Sequence, residues 1–295
     1  MKTIAITAPN SLSGSMMYSV LKENFRLVLI CESKDKLALL ENIYGKCLKH
    51  NAIIFDLMDL YQDYVTGFLN QPDGLNISKL VDKIGEVDAF INCATITNPH
   101  IKQDPVKAFF INSSLPHILS QIYGDKLIHI ATDCVFDGQI GAPYNEKSIH
   151  HPTDAYGLTR SLGEPADQSL VLRVSLVGPE IDSSDSLIEW LKKNKSKTID
   201  GFTNHTWNGL TSREFALICQ EIINNRNQYP KTGLFHLFST NVTKYDMLIK
   251  FKEKYNIDVN INPSQSTSID RRLDTAFDLC RKFNIPSFDE MLKEL

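Results

Sequence analysis

The sequence predicts an α/β fold: a doubly wound parallel sheet with a smaller, interleaved carboxyl-terminal lobe. Three observations carry this reading. Apolar, β-branched runs at 2–7, 26–31, 51–55, 87–92, 127–131 and 170–174 lack the polar alternation of a half-solvated strand, as strands buried on both faces do. Segments of helical length separate these runs, and the first two enclose a helical pattern at 13–23, giving a βαβ unit. Finally, residues 127–164 join a buried strand, ending at Thr132 and Asp133, to an Asp137-Gly138 turn and then to an amphipathic helix at 155–163.

Taken in order, the strand at 2–7 opens a unit of Rossmann type whose turn, Ala8 to Gly14, is poor in glycine. Read alone, that turn is a helix cap. Equally, a helix amino terminus there, with the hydroxyls of Ser11, Ser13 and Ser15, can donate to phosphate oxygens. The second strand ends at Cys31-Glu32-Ser33-Lys34, where an acid favours a free ribose 2′-hydroxyl and a nearby lysine favours a 2′-phosphate. The two residues point in opposite directions. Residues 57–85 read as a mostly helical crossover with a Gln71-Pro72-Asp73-Gly74 turn, and 104–124 as a long helix.

After the strand at 170–174, Val177-Gly178-Pro179 breaks the pattern and the chain enters the second lobe. Helices are expected at 187–193, 212–224, 244–255 and 275–283, with a strand at 233–237 added to the main sheet. The dinucleotide-binding domain then comprises 1–174 plus about 208–238, and the substrate-binding lobe about 175–207 and 239–295. No repeat or low-complexity tract interrupts this order.

Composition narrows the function. A formal net charge of −4, with no basic run beyond 191–197, argues against nucleic acid or an anionic membrane as partner. The first strand begins too early for a signal peptide, and no apolar run is long enough to span a bilayer, so a soluble, cytoplasmic protein is expected. Six cysteines without paired spacing read as free thiols, and no metal site is expected.

Tyr156 and Arg160 stand four apart in the helical pattern, so both project from one face, one turn apart. A phenol beside a fixed cation is an acid whose pKa is expected to fall toward working pH. Tyr18 and Lys22 share that spacing, but only the first pair has an upstream hydroxyl at a strand end, Thr132.

These residues also carry a resemblance. TDCVFDG at 132–138 followed by AYGLTRSLGE at 155–164 resembles the extended short-chain dehydrogenase/reductase family, and within it the dTDP-4-dehydrorhamnose reductase branch and relatives acting on UDP-linked 4-keto-6-deoxy sugars. The INCAT, GFTNHTWNGLTS and IDRRLDT segments, at 91–95, 201–212 and 269–275, resemble the same branch, so the likeness covers nearly the whole chain. It implies an NAD(P)-dependent oxidoreductase of surface-polysaccharide or glycan synthesis, acting on a nucleotide sugar and assembling as a homodimer. Catalysis falls to Thr132, Tyr156 and Arg160, the last in place of the family's usual lysine; arginine keeps the charge in a bulkier, permanently protonated fork.

The dinucleotide, NADP or NAD, is expected at Ser11, Leu12, Ser13, Gly14, Glu32, Lys34, Asp56, Leu57, Cys93, Ala94, Thr95 and Asn112 as well as at Tyr156 and Arg160. The turn, which in the family reads TGxxGxxG, keeps only Gly14 of its glycines. Substrate contacts are expected from Asp133, Cys134, Asn204, Trp207 and Arg272; Cys134 stands where the rhamnose branch often has tyrosine. Read without the resemblance, Asp56 is a surface acid, Asn112 a buried helix-structuring residue, Trp207 core and Arg272 surface. A second reading is a non-catalytic binding subunit resembling the regulatory subunit of methionine adenosyltransferase, which shares the fold. An epimerase or dehydratase is disfavoured because no additional acid-base pair is evident near Thr132.

Overall fold

The computed structural model describes residues 1–45, 50–70 and 75–295, with backbone only at 66–70, 75 and 76. The expected turn at Gln71 to Gly74 lies outside the described residues. Seven parallel strands form the central sheet: β1 (Thr3–Thr7), β2 (Arg26–Cys31), β3 (Asn51–Ile54), β4 (Ala89–Asn92), β5 (Leu127–Thr132), β6 (Leu170–Val174) and an edge strand (Gly233–His236). Their order is edge strand, β6, β5, β4, β1, β2, β3. Chain order reverses between β1 and β4, and it is outside the carboxyl ends of strands at such a reversal that a crevice opens.

Helices α1 (Leu12–Leu21) and α2 (Lys34–Tyr44) follow β1 and β2; α3 (Asp59–Asn70) and α4 (Leu75–Ile84) bridge β3 to β4. Short α5 (Asn98–Ile101) and α6 (Pro105–Phe109) come next. The expected helix at 104–124 is a helix with an inserted π turn: α6 passes through Phe110–Ser114 into α7 (Leu115–Tyr123). Helix α8 (Ala155–Ser161) follows β5. One apolar cluster, including Ile6, Met17, Leu172 and Phe215, covers one sheet face, and another, including Ile53, Phe90, Ile111 and Leu119, covers the other.

Beyond β6, the chain builds β7 (Leu176–Val177), α9 (Leu187–Lys193), β8 (Thr198–Phe202), β9 (His205–Trp207), β10 (Leu210–Thr211) and α10 (Ser212–Asn224), then the edge strand, β11. The remainder is β12 (Val242–Thr243), α11 (Lys244–Lys254), β13 (Asn260–Ser264), β14 (Ile269–Asp270) and α12 (Phe288–Glu294). A separate core of Ile188, Leu191, Met247, Phe251 and Phe288 holds this region together.

One helix is absent where it was expected. Residues 275–283 carry only a single 3₁₀ turn, at Cys280–Lys282. Glu146 captures the start of that segment, accepting from the Thr275 hydroxyl (2.7 Å) and the Ala276 amide (2.8 Å), while the Thr275 hydroxyl also accepts from Phe277 N (3.0 Å). Such local bonds offer the backbone an alternative to a helix. The helix forms later, where Ser287 and Glu290 make a capping box that opens α12. No described helix is long and apolar enough to cross a membrane. Five cysteines are free thiols, and Cys47 lies outside the described residues. Among the described residues no group of three His, Cys, Asp or Glu side chains is placed to hold a metal.

Candidate active site

The β1–α1 turn is built without the usual glycines. Ala8 takes a left-handed φ of 44°, and its carbonyl accepts from Ser11 N at 3.0 Å. Ser11 caps α1, its hydroxyl accepting from Gly14 N at 3.1 Å. Gly14 is needed for packing: a Cβ there would lie 2.2 Å from the Ala8 carbonyl oxygen. Ser15, expected to face phosphate, is buried and donates instead to Leu12 O at 3.4 Å. Thr7 joins the two strands at the reversal. Its hydroxyl donates to Asn92 Oδ1 (2.7 Å) and accepts from Cys93 N (3.0 Å) and Ala94 N (3.2 Å).

Thr132 ends β5 and caps the next turn, accepting from Cys134 N at 3.2 Å. Asp154 starts α8 by accepting from Gly157 N at 2.8 Å, and Asn98 Oδ1 accepts from Tyr156 N at 3.2 Å. Helix α8 is thereby fixed with Tyr156 toward Thr132 and Thr95, whose hydroxyls both act on the phenol. Arg160 is buried at 4% exposure, donating through Nη2 to the Ile130 carbonyl of β5. Its Nε and Nη1 have no partner.

The expected fall in the Tyr156 pKa is reversed. Burial pushes the phenol above its ordinary value, and the Arg160 cation, the next-largest influence, offsets this only in part. Asp133 is also buried and its carboxyl is pushed up by desolvation, against the opposing charge of Arg271.

These groups border one crevice of about 890 Å³. From the turn come Ser11, Leu12 and Ser13; from the ends of β2 and β3, Glu32, Asp56 and Leu57; from the end of β4, Cys93, Ala94 and Thr95. Thr132, Asp133, Cys134, Tyr156 and Arg160 complete that part of the lining. Four expected positions lie elsewhere, and a fifth, Gly14, packs behind the turn. Lys34 is exposed and away from the crevice, while Lys36 lines it. Asn204 bonds to Ser266, accepting from its amide. Trp207 packs edge-on against Phe288 at 5.5 Å. Arg272 forks onto Asp270, with Nη2 at 2.7 Å from Oδ2.

Asn112, the remaining expected cofactor contact, lies one layer behind the crevice. Its amide accepts from Ile96 N (2.8 Å) and donates to Ile96 O (2.8 Å) and Thr159 Oγ1 (3.0 Å), tying the loop after β4 to α8. The neighbouring arginine, Arg271, was not singled out by the sequence. It reaches the site, with Nε donating to Phe136 O (2.9 Å) and Nη1 lying 3.7 Å from Cys134 Sγ. The other motif match, Tyr18 and Lys22, is a cation over a ring in the core.

A parallel sheet with its crevice at the strand-order reversal, and a threonine, tyrosine and cation gathered there, define an extended short-chain dehydrogenase/reductase. Within that class the chain belongs to the family described as the RmlD substrate binding domain, matched over residues 61–275. It is 29% identical over 187 residues to a probable low-salt glycan biosynthesis reductase of Haloferax volcanii, covering 58% of this chain and 61% of that protein. It is 28% identical to methionine adenosyltransferase 2 subunit beta of Xenopus laevis, covering 57% of this chain and 54% of that one. These alignments therefore span less than two thirds of either relative. The solved dTDP-4-dehydrorhamnose reductase of Bacillus anthracis, in complex with NADP, superposes with a TM-score of 0.67 at 16% identity, covering 99% of this chain and 98% of that one.

Proposed function

We propose that the chain is a nicotinamide-dinucleotide-dependent reductase of a ketone on a nucleotide-linked sugar, with a 4-keto-6-deoxy sugar as substrate class. One observation carries the reading: Thr132, Tyr156 and Arg160 line one crevice together. Arg160 lines the crevice as a fixed cation, and ribose hydroxyls are acceptors that a guanidinium can bind. The turn fits phosphate through the capped start of α1. When bound, the reduced nicotinamide supplies the hydride.

The chain's own residues then handle the proton and the charge. Tyr156 donates its proton to the oxygen of the reduced carbonyl, and burial keeps it in the protonated form that this direction needs. Thr132, whose hydroxyl lies 3.3 Å from Asp133 Oδ1, can turn that donor to the same oxygen. Arg160 stabilises the phenolate left behind, its fork held in place by the Ile130 carbonyl. The resemblance in 201–212 and 269–275 favours a UDP-linked 2-acetamido-2,6-dideoxy-hexulose over a dTDP sugar.

The test is steady-state oxidation of NADH and NADPH with UDP- and dTDP-linked 4-keto-6-deoxy sugars. Tyr156→Phe abolishes turnover and leaves the melting temperature nearly unchanged, since only a hydroxyl is lost from a crevice; native turnover in that variant overturns the acid assignment. A second reading, a non-catalytic dinucleotide-binding subunit, draws on the likeness to methionine adenosyltransferase 2 subunit beta and on the left-handed Ala8 where the family has glycine. It is supported if the native chain binds dinucleotide but turns over none of these sugars.

A further inference from the structure

Residues 178–186 leave β7 and run along the crevice before α9, placing Glu180, Asp182 and Asp185 in its lining. Three interactions fix this segment. The Glu180 carboxylate accepts from Asp185 N (2.9 Å) and Ser186 N (2.8 Å). Asp185 pairs with His100 at 3.2 Å. Asp182 reaches across to the dinucleotide unit, accepting from Asn10 Nδ2 in the β1–α1 turn and pairing with Lys36 in the first turn of α2.

The surrounding charge gives that contact a consequence. Glu32, at the end of β2, holds Lys107 at 2.8 Å, and Lys107 also faces Asp56 and Asp104. This end of the crevice thus presents four carboxylates, Glu32, Asp56, Asp104 and Asp182, against two ammonium groups, Lys36 and Lys107. Both lysines are already paired. In folds of this type the end of the second strand receives the adenosine ribose, where an acid accepts from a free 2′-hydroxyl and a nearby cation accommodates a 2′-phosphate.

We propose that Asp182 is a specificity-determining residue for the dinucleotide: by occupying Lys36 and Asn10 it withholds them from a ribose 2′-phosphate, so the chain takes NADH over NADPH. The inference rests on the dinucleotide reading above. Asp182 lies in the second lobe, 146 positions from Lys36, so the residues at the end of β2 do not by themselves decide the preference.

Calorimetric titration of native protein, Asp182→Asn and Asp182→Ala with NADH and NADPH tests this by binding alone. A unit charge a few ångströms from a phosphate, at a partly solvated site, is worth roughly fivefold or more in affinity. Native protein is expected to bind NADH at least about fivefold more tightly than NADPH. Both substitutions should lower that ratio by about fivefold, through tighter NADPH binding with NADH nearly unchanged. Lys36→Met in the Asp182→Asn background should remove the gain. An unchanged ratio, or an equal gain for both dinucleotides, overturns the role of Asp182 while leaving the dinucleotide reading intact. Binding of neither dinucleotide by any form overturns that reading and this inference with it.

Discussion

Gly157 packs α8, which carries the proposed acid, directly against the turn that follows Thr132, so Gly157→Ala tests whether their separation governs chemistry. A Cβ at 157 would lie 2.2 Å from the Cys134 carbonyl oxygen and 3.0 Å from Pro152 Cβ. Relief to ordinary van der Waals contact requires the helix and the turn to part by about 1 Å, because a close-packed contact has no slack. Tyr156 precedes this glycine and Thr132 lies two residues before Cys134, so the parting falls on the proposed proton donor. Overpacking costs about 1–3 kcal/mol, offset by about 1 kcal/mol from alanine's better helix propensity. The net loss is small beside a typical stability of about 5–15 kcal/mol, and the fold should survive. A misplacement of about 1 Å, by contrast, can lower turnover by about 100-fold. The assays are kcat/KM for the keto sugar, dinucleotide affinity and a thermal melt. A kcat/KM within about twofold of native, in a folded variant, would refute the argument that this contact sets the distance between Tyr156 and Thr132.

Two further predictions concern pH. Ketone reduction needs Tyr156 protonated, and its pKa is raised by burial, so the rate should hold level through neutral pH and fall only above the ordinary phenol value of 10; an alkaline limb centred near pH 7 to 8 would refute the raised pKa. Acid should loosen the fold through His150 and His236, both depressed to about 4 by burial and by Arg173. The unfolded chain, with histidine near 6.5, binds more protons between those values, so stability present above pH 6.5 is lost as pH falls, by about 2 kcal/mol per histidine at pH 5. Glu164, whose carboxyl burial pushes up, opposes part of this loss. A melting temperature several degrees lower at pH 5 than at pH 7 is expected, and an unchanged one would refute the neutral-histidine network.

The parts of this fold that were legible in sequence are those whose cause is local. Five of the first six strands are buried on both faces and read as apolar runs; β3, at the sheet edge, exposes Asn51, Ala52 and Ile54 although it was read the same way, and α10 appeared at its true bounds because its apolar residues recur at helical spacing. The small strands after β6 were not visible. β8 pairs with β13 over sixty residues away, and both are mixed in composition, so only the tertiary partner makes them strands. The site divides the same way. Tyr156 and Arg160 followed from a four-residue spacing, whereas Lys36, Arg271 and Asp182 acquire meaning from side chains far along the chain. The direction of the Tyr156 shift was misjudged because a cation one turn away is visible in sequence and the depth of burial around the phenol is not.

Asn112 shows how the π turn and the acid helix belong to one construction. It lies within the π turn at Phe110–Ser114, is wholly buried, and gives its amide to the loop after β4 on one side and to Thr159 of α8 on the other. A π turn inserts a residue into a helix and changes which side chains face a neighbour; here the inserted turn carries the one amide whose two ends can bond both segments. Thr95, whose hydroxyl lies 3.4 Å from Asn112 Oδ1, is also one of the groups acting on Tyr156. The loop that lines the crevice and the helix that carries Tyr156 are therefore held at one separation by a residue that is not itself part of the crevice lining. That restraint acts on distance alone and would serve a reductase and a binding subunit equally. What separates the two readings is turnover: a bound dinucleotide would set its ribose beside Arg160 in both, and only the proposed reductase passes the Tyr156 proton to a substrate carbonyl.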